Sequence, residues 1–222
     1  MAGIVVGAIV GLTALGNVIH ALQEQGSEPS RASKQASDPA TGDSHRSKAA
    51  PSGKRYRLTV PSTLVGGQYT LVKDLSQTLD DGMAGQRSGS NERNVKGAGG
   101  QYTSTGPESQ TLVVSGFHGD EITDPQRALA STFKGMNENE GVEVTAPPKD
   151  FTPPGSGEPI SCESYAFTRS GQSGVAAVCG WSDHSTVATV TVADTSGRLP
   201  VDLDVLAKQT AQIRAEMRKP LD

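Results

Sequence analysis

Residues 2–22 read AGIVVGAIVGLTALGNVIHAL, 21 positions without a charged side chain. At ~1.5 Å per residue, a helix of that length spans roughly 30 Å, the thickness of a bilayer's hydrocarbon core. A helix satisfies its own backbone in lipid, so the run predicts one transmembrane helix with the lipid bilayer as its partner. Gln23, Glu24 and Gln25 end the run sharply. Asn17 and His20 stand near its far end, where a polar side chain reaches the interface. A cleaved signal peptide fits less well. No Lys or Arg precedes the run, and its length exceeds the ~7–15 apolar residues of a signal core. No cysteine lies nearby, which excludes a lipoprotein anchor. The missing basic flank removes the positive-inside argument for orientation and points to a native start upstream of Met1.

Gly3, Gly7 and Gly11 recur every four residues on one face of this helix. Such spacing lets two helices approach closely, so the face is a candidate for helix pairing; the plainer alternative is a glycine-rich helix facing lipid.

Residues 23–53 are Ser, Ala, Gly, Pro and mixed charge, with no large apolar side chain. They cannot bury enough surface to offset chain entropy and predict a disordered tether. Their four acids and four bases cancel, so the net charge of −4 sits on residues 54–222. A mildly acidic domain is a poor match for phosphate, which argues against nucleic acid as a partner. With 34% hydrophobic residues and 4% aromatics, the chain has material for one modest core.

Within 54–222 the pattern predicts an α+β fold: an antiparallel sheet covered on one face by two helices, preceded by the membrane helix and the linker. Strands are expected at Tyr56–Val60, Tyr69–Val72, Thr111–Gly116, Val142–Val144 and Thr186–Val192. Ile160–Phe167 and Val175–Trp181 flank the turn-rich stretch Thr168–Gly174 and predict a hairpin. Asp124-Pro125 opens a helix carrying Leu129, Phe133 and Met136, and Leu203, Leu206, Ile213 and Met217 mark a second. Residues 80–110 read as a long polar loop. Gly97-Ala98-Gly99-Gly100 within it is no phosphate loop, because neither strand nor apolar helix frames it in the sequence.

Cys162 and Cys179 lie on the two hairpin strands, opposite or one step off when counted from the turn. Opposed Cβ atoms stand ~4.5–5.5 Å apart, so a bridge is feasible. An even cysteine count beside a membrane anchor favours a disulfide in an oxidising compartment; two buried thiols in a cytosolic protein is the alternative. Zinc would need two further ligands beyond the cysteines.

Two polar clusters are candidate sites. His118, Asp120 and Glu121 could ligate a metal or act as acid and base, but neighbours on one turn cannot readily face one ion, and a solvated turn is the simpler reading. Ser182-Asp183-His184-Ser185 suggests a triad, which needs residues converging in space rather than in sequence; Asp183-His184 more simply supplies a hairpin bend. Trp181, the sole tryptophan, reads as core packing beside the cysteines rather than as a ligand platform. No catalytic constellation, metal site or cofactor is expected.

YRLTVPSTL (56–64), Gly116-Phe117-His118-Gly119, DPQRALASTF (124–133), CGWSDHSTVATV (179–190) and VLAKQTAQIRAEM (205–217) resemble a group of uncharacterised actinobacterial, Streptomyces-type single-pass membrane proteins. The resemblance implies a disulfide, an extracytoplasmic domain at the cell surface and no assigned activity. Together these features predict a non-enzymatic binding or interaction module of the cell envelope, with an envelope protein as a candidate partner. The alternatives are an envelope enzyme whose site gathers dispersed residues such as His118, Asp183 and His184, or a structural accessory subunit pairing through its glycine face. That pairing is testable in membranes: Gly7→Cys in the full chain should form an oxidative dimer, and a strictly monomeric product would remove the pairing face.

Overall fold

The computed structural model describes residues 54–85, 87–106, 110–169, 171–194 and 202–221. The expected anchor at 2–22, its Gly3, Gly7 and Gly11 face and the linker at 23–53 lie outside the described residues. Among the described residues, no helix is long and apolar enough to cross a membrane.

The described chain is α+β. In order it forms β1 (Tyr56–Leu58), β2 (Thr63–Leu64), β3 (Tyr69–Asp74), α1 (Ser76–Gly82), β4 (Glu92–Arg93), β5 (Lys96–Ser104), β6 (Thr111–His118) and β7 (Glu121–Ile122). It continues with α2 (Pro125–Asn137), β8 (Val142–Phe151), β9 (Ile160–Arg169), β10 (Gln172–Ser182), β11 (Thr186–Asp194), α3 (Leu203–Met217) and β12 (Arg218–Pro220). Eight strands make one antiparallel sheet in the order β2-β3-β5-β6-β11-β10-β9-β8, and two small pairs, β1-β12 and β4-β7, stand apart from it.

Helices cover both faces of this sheet, three of them among the described residues, where the sequence predicts two on one face. On one side α1 and α2 pack Leu79, Leu129, Phe133 and Met136 against Val113, Phe117, Tyr165 and Val178. On the other, α3 packs Leu206, Ile213 and Met217 against Val114, Trp181, Val190 and the two cysteines. The physical reason lies in the central strands. In β6, β10 and β11 consecutive residues are buried, and a strand apolar on both faces needs a cover on each.

The expected loop at 80–110 is also corrected. Its centre is β5, hydrogen-bonded between β3 and β6, and its start overlaps the end of α1. Glycine here serves close packing rather than turning. A Cβ at Gly97 would stand 2.5 Å from the Asp80 amide nitrogen, and one at Gly99 would stand 2.7 Å from a Leu79 methyl. So α1 lies directly on a strand whose side chains have been removed to admit it.

Other expectations are met or extended. Asp124 caps α2 by accepting a hydrogen bond from the Arg127 amide at 3.0 Å, with Pro125 in the first turn. The short strand expected at Val142–Val144 runs on to Phe151 through Pro147 and Pro148. β8 is an edge strand with register shifts on either side of Ala146, the setting in which proline is tolerated. β9 and β10 extend to Arg169 and Gln172, well into the stretch expected as loop.

Cys162 and Cys179 form a disulfide and are direct partners across β9 and β10. Both are fully buried, with Trp181 in the same core cluster. Closing a loop of sequence separation 17 restricts the unfolded chain by about 3 kcal/mol. Replacing both cysteines by alanine should therefore lower unfolding stability by about 3 kcal/mol in a denaturant titration. The native chain should show no alkylatable thiol until it is reduced.

Candidate functional site

The α2 helix settles on β10 and β11 because Gly180 gives it room. A Cβ at that position would stand 2.7 Å from a Leu129 methyl. Farther out, β8 bulges around Pro147-Pro148 and leaves regular pairing with β9. Between α2, the bulged part of β8 and the start of β9 opens a cleft of about 1190 Å³. Leu129, Ala130, Phe133, Pro148 and Pro159 give it apolar walls, and Ser161 of β9 lies in its lining. Its polar lining includes Asp124, Lys134, Asn137, Glu138, Asp150 and Glu158.

Alternate residues of a strand share a face, so Ser161, Glu163 and Tyr165 point the same way along β9. Ser161 lines the cleft; Glu163, next along that face of β9, is 0% exposed and lies behind the lining. Asn137, at the end of α2 and in the cleft lining, donates from Nδ2 to Glu163 Oε2 at 3.0 Å. The other two oxygens of this contact, Glu163 Oε1 and Asn137 Oδ1, are buried and have no hydrogen-bond partner among the described residues. Burial pushes the Glu163 carboxyl up to about 7, and the Asn137 hydrogen bond opposes that rise without cancelling it. Burial, and secondarily the Glu163 charge, raises the Tyr165 phenol as well.

At the mouth, Asp183 and His184 join the lining. Asp183 holds the hairpin between β10 and β11. Its Oδ1 accepts from the Ser185 amide at 2.8 Å, the Ser185 hydroxyl at 2.7 Å and the Thr186 amide at 2.8 Å. Its Oδ2 accepts from Arg218 at 2.9 Å, and Arg218 also stacks over the Tyr56 ring. Burial alone would raise this carboxyl; hydrogen bonds from Thr186, Ser185 and Arg218 outweigh it and hold the group below the usual carboxylate range. Glu158 receives both Arg214 and Arg218 at 3.3 Å. The deeply buried Arg214 also donates to the Ser156 carbonyl. Burial, then the Arg218 charge, lowers the Arg214 pKa.

The sequence candidates therefore separate. Asp183 and His184 reach the cleft; His118 does not. Asp183 spends its hydrogen bonds on the bend, as the hairpin reading expects, while His184 Nδ1 stands 3.0 Å from the Ile122 carbonyl. No Ser-His-Asp relay results, because Ser185 donates to Asp183 directly and accepts from the Tyr56 amide. His118, at the end of β6, pairs across strands with Lys96 and Thr186; burial, then Lys96, lowers its pKa. Asp120 meets Arg55 and Asn94, and Glu121 meets Arg93. Among the described residues, no three His, Cys, Asp or Glu side chains are grouped to hold a metal. Trp181 is core, its indole donating to the Thr186 hydroxyl at 3.2 Å.

Glu163 and Asn137 stand outside the candidates that the sequence offers. The available signal was a lone acid inside the apolar strand Ile160–Phe167, in step with Tyr165 and Phe167 rather than with the cysteine.

Asp183→Asn should destabilise the fold by about 2–3 kcal/mol near neutral pH, because it removes charge-assisted bonds in a largely buried site. Asp183 has a depressed folded pKa, so its contribution is present above the unfolded pKa of ~3.9 and is lost as pH falls through the folded value. The gap between native chain and variant should thus narrow in denaturant midpoints as pH falls below the ordinary carboxylate range of ~3.9. A constant gap would contradict the assignment.

No family model matches the chain, and no curated protein matches it. A solved structure with some similarity is LpqN, described as involved in cell envelope biogenesis of Mycobacterium tuberculosis. It shares 15% identity at a TM-score of 0.37, with 79% of this chain and 88% of that one covered.

Proposed function

We propose that this chain is a ligand-binding module of the cell envelope, tethered to the membrane by residues 2–22 and working outside the cytoplasm. The observation that carries the binding role is the cleft of about 1190 Å³ beside α2, which combines an apolar strip of Leu129, Ala130, Phe133, Pro148 and Pro159 with a largely polar remainder. In a small-molecule site apolar surface supplies affinity and polar groups fix orientation, and both are present here. The disulfide supports an oxidising compartment, and the uncharged run of 21 residues supports the anchor. The tether at 23–53 would let the domain search the volume near the membrane and raise its effective concentration for a surface-borne ligand. Binding is favoured over turnover because Asp183 and Glu158 at the mouth are committed to arginines that hold the fold.

A reporter inside the cleft tests this in the full chain. With Cys162 and Cys179 bridged, Ala130→Cys offers one thiol for an environment-sensitive fluorophore on the exposed face of α2. n-Hexanol should give a saturable emission change, and Ser161→Tyr, which fills the floor, should abolish saturation. A response that rises linearly in both proteins would mean that the cleft does not bind.

A further inference from the structure

We infer that the inner end of this cleft receives a primary ammonium group, which donates to Glu163 Oε1 and Asn137 Oδ1 while the ligand's apolar body lies along Leu129 and Phe133. The inference rests on the binding role proposed above and adds the class of ligand.

Three independent observations support it. The first is the pair of orphaned acceptors. Glu163 is 0% exposed and only one of its carboxylate oxygens has a partner. Leaving a buried carboxylate oxygen bare costs free energy that a matching donor recovers. Asn137 Oδ1, on the same amide that already holds Glu163, is the second bare acceptor. Two acceptors without a donor specify a group that brings several N–H bonds, and an ammonium brings three.

The second is access. Asn137 belongs to the cleft lining, and Glu163 follows Ser161 of that lining on the same face of β9. Glu163 itself lies behind this lining, hydrogen-bonded to Asn137, so an ammonium would reach it by passing the Asn137 amide.

The third is charge. Asp124, Glu138, Asp150, Glu158 and Asp183 line the cleft against one lysine, Lys134, which lies 3.5 Å from Glu138. The two arginines behind the mouth neutralise Glu158 and Asp183, and the remainder still favours a cation. An anionic ligand would meet repulsion along the same route.

The competitor for this place is a proton. Glu163 titrates near 7, so a proton on Oε1 facing the Asn137 oxygen would satisfy both orphans at once. Charged and titratable groups on the surrounding elements are Lys134 of α2, Glu138 just after it, Lys149 and Asp150 of β8 and Tyr165 on its own strand. β10 and β11 place Val178 and Thr191 in the same row. An ammonium binds the ionised carboxylate, so affinity should be level above about pH 7 and fall about tenfold per pH unit below it.

The experiment uses the full chain with the reporter at position 130 and two water-soluble probes of equal length, n-hexylammonium and n-hexanol. At pH 8 the ammonium should bind at least about tenfold more tightly, as expected for a charge-assisted contact in a desolvated site. Glu163→Gln, close in volume, should remove that advantage, and a cooperative unfolding transition like that of the native chain should show that the variant is folded. Asn137→Leu should weaken the ammonium selectively. Hexanol binding with no ammonium advantage would overturn the inference and leave the cleft standing as a neutral site. An ammonium advantage that is flat from pH 6 to pH 8, or that survives Glu163→Gln, would assign the amine to the rim carboxylates and overturn it too. Binding of neither probe would overturn the cleft itself.

Discussion

Strand register across β9, β10, β11 and β6 decides which side chains each helix meets. A one-residue slip would send every side chain of a strand to the opposite face. Here Cys162 pairs with Cys179, Cys179 with Val190, and Val190 with Val114, and all four lie under α3. The row beside it, Glu163, Val178, Thr191 and Val113, is thereby committed to the side of α1 and α2. The disulfide joins partners directly opposite each other, so it fixes this parity covalently. Its effect reaches farther than the α3 core that contains it. By holding Cys162 on one face, it also holds Glu163 on the other.

The two faces are stabilised differently. Under α3 the contacts are almost wholly apolar, and the edge of that layer is closed by charge. Arg214 and Arg218 reach Glu158 and Asp183, and β12 pairs with β1 so that both ends of the described domain meet at one place. Buried charges that are paired on every side hold geometry, because removing one partner strands the other. Under α2 the layer contains Glu163, whose nearest hydrogen bond comes from an uncharged amide. A carboxyl in that setting is costly to ionise, and it lies directly behind Asn137 of the cleft lining.

Much of this fold was legible in the sequence. Thr111–Gly116, the cysteine hairpin, the Asp124-Pro125 helix start and the Asp183 bend each carry a local signal that tertiary packing leaves intact. The misreadings have physical causes. β5 hides as glycine, since α1 needs the space that side chains would take, and glycine in sequence reads as turn. α1 is only seven residues long and buries one side chain, Leu79, too little to impose a helical period. The two-sided cover of the sheet was visible as unbroken burial-prone runs in β6 and β11, but a hairpin-rich order of elements suggests a one-sided sheet. Glu163 escaped because its significance is a matter of parity: the alternation that puts the cysteine inward on one side makes its neighbour equally inward on the other.

The irregularity of β8 ties fold to site. Between Ala146 and Lys149 the register shifts, so that Glu163 faces the stretch holding Pro147 and Pro148 rather than a paired residue. Neither proline has an N–H to offer, so the edge strand cannot supply Glu163 with the donor that an ordinary residue could. The same irregular stretch gives Pro148 and Asp150 to the cleft lining, and a bulge at a sheet edge is a common way of shaping a site. One local feature therefore shapes a wall of the cleft and leaves the acid behind it short of a donor. A regular β8 would straighten the first and could satisfy the second. The prolines do neither, and the group that completes the contact must come from α2, from a proton or from a ligand in the cleft.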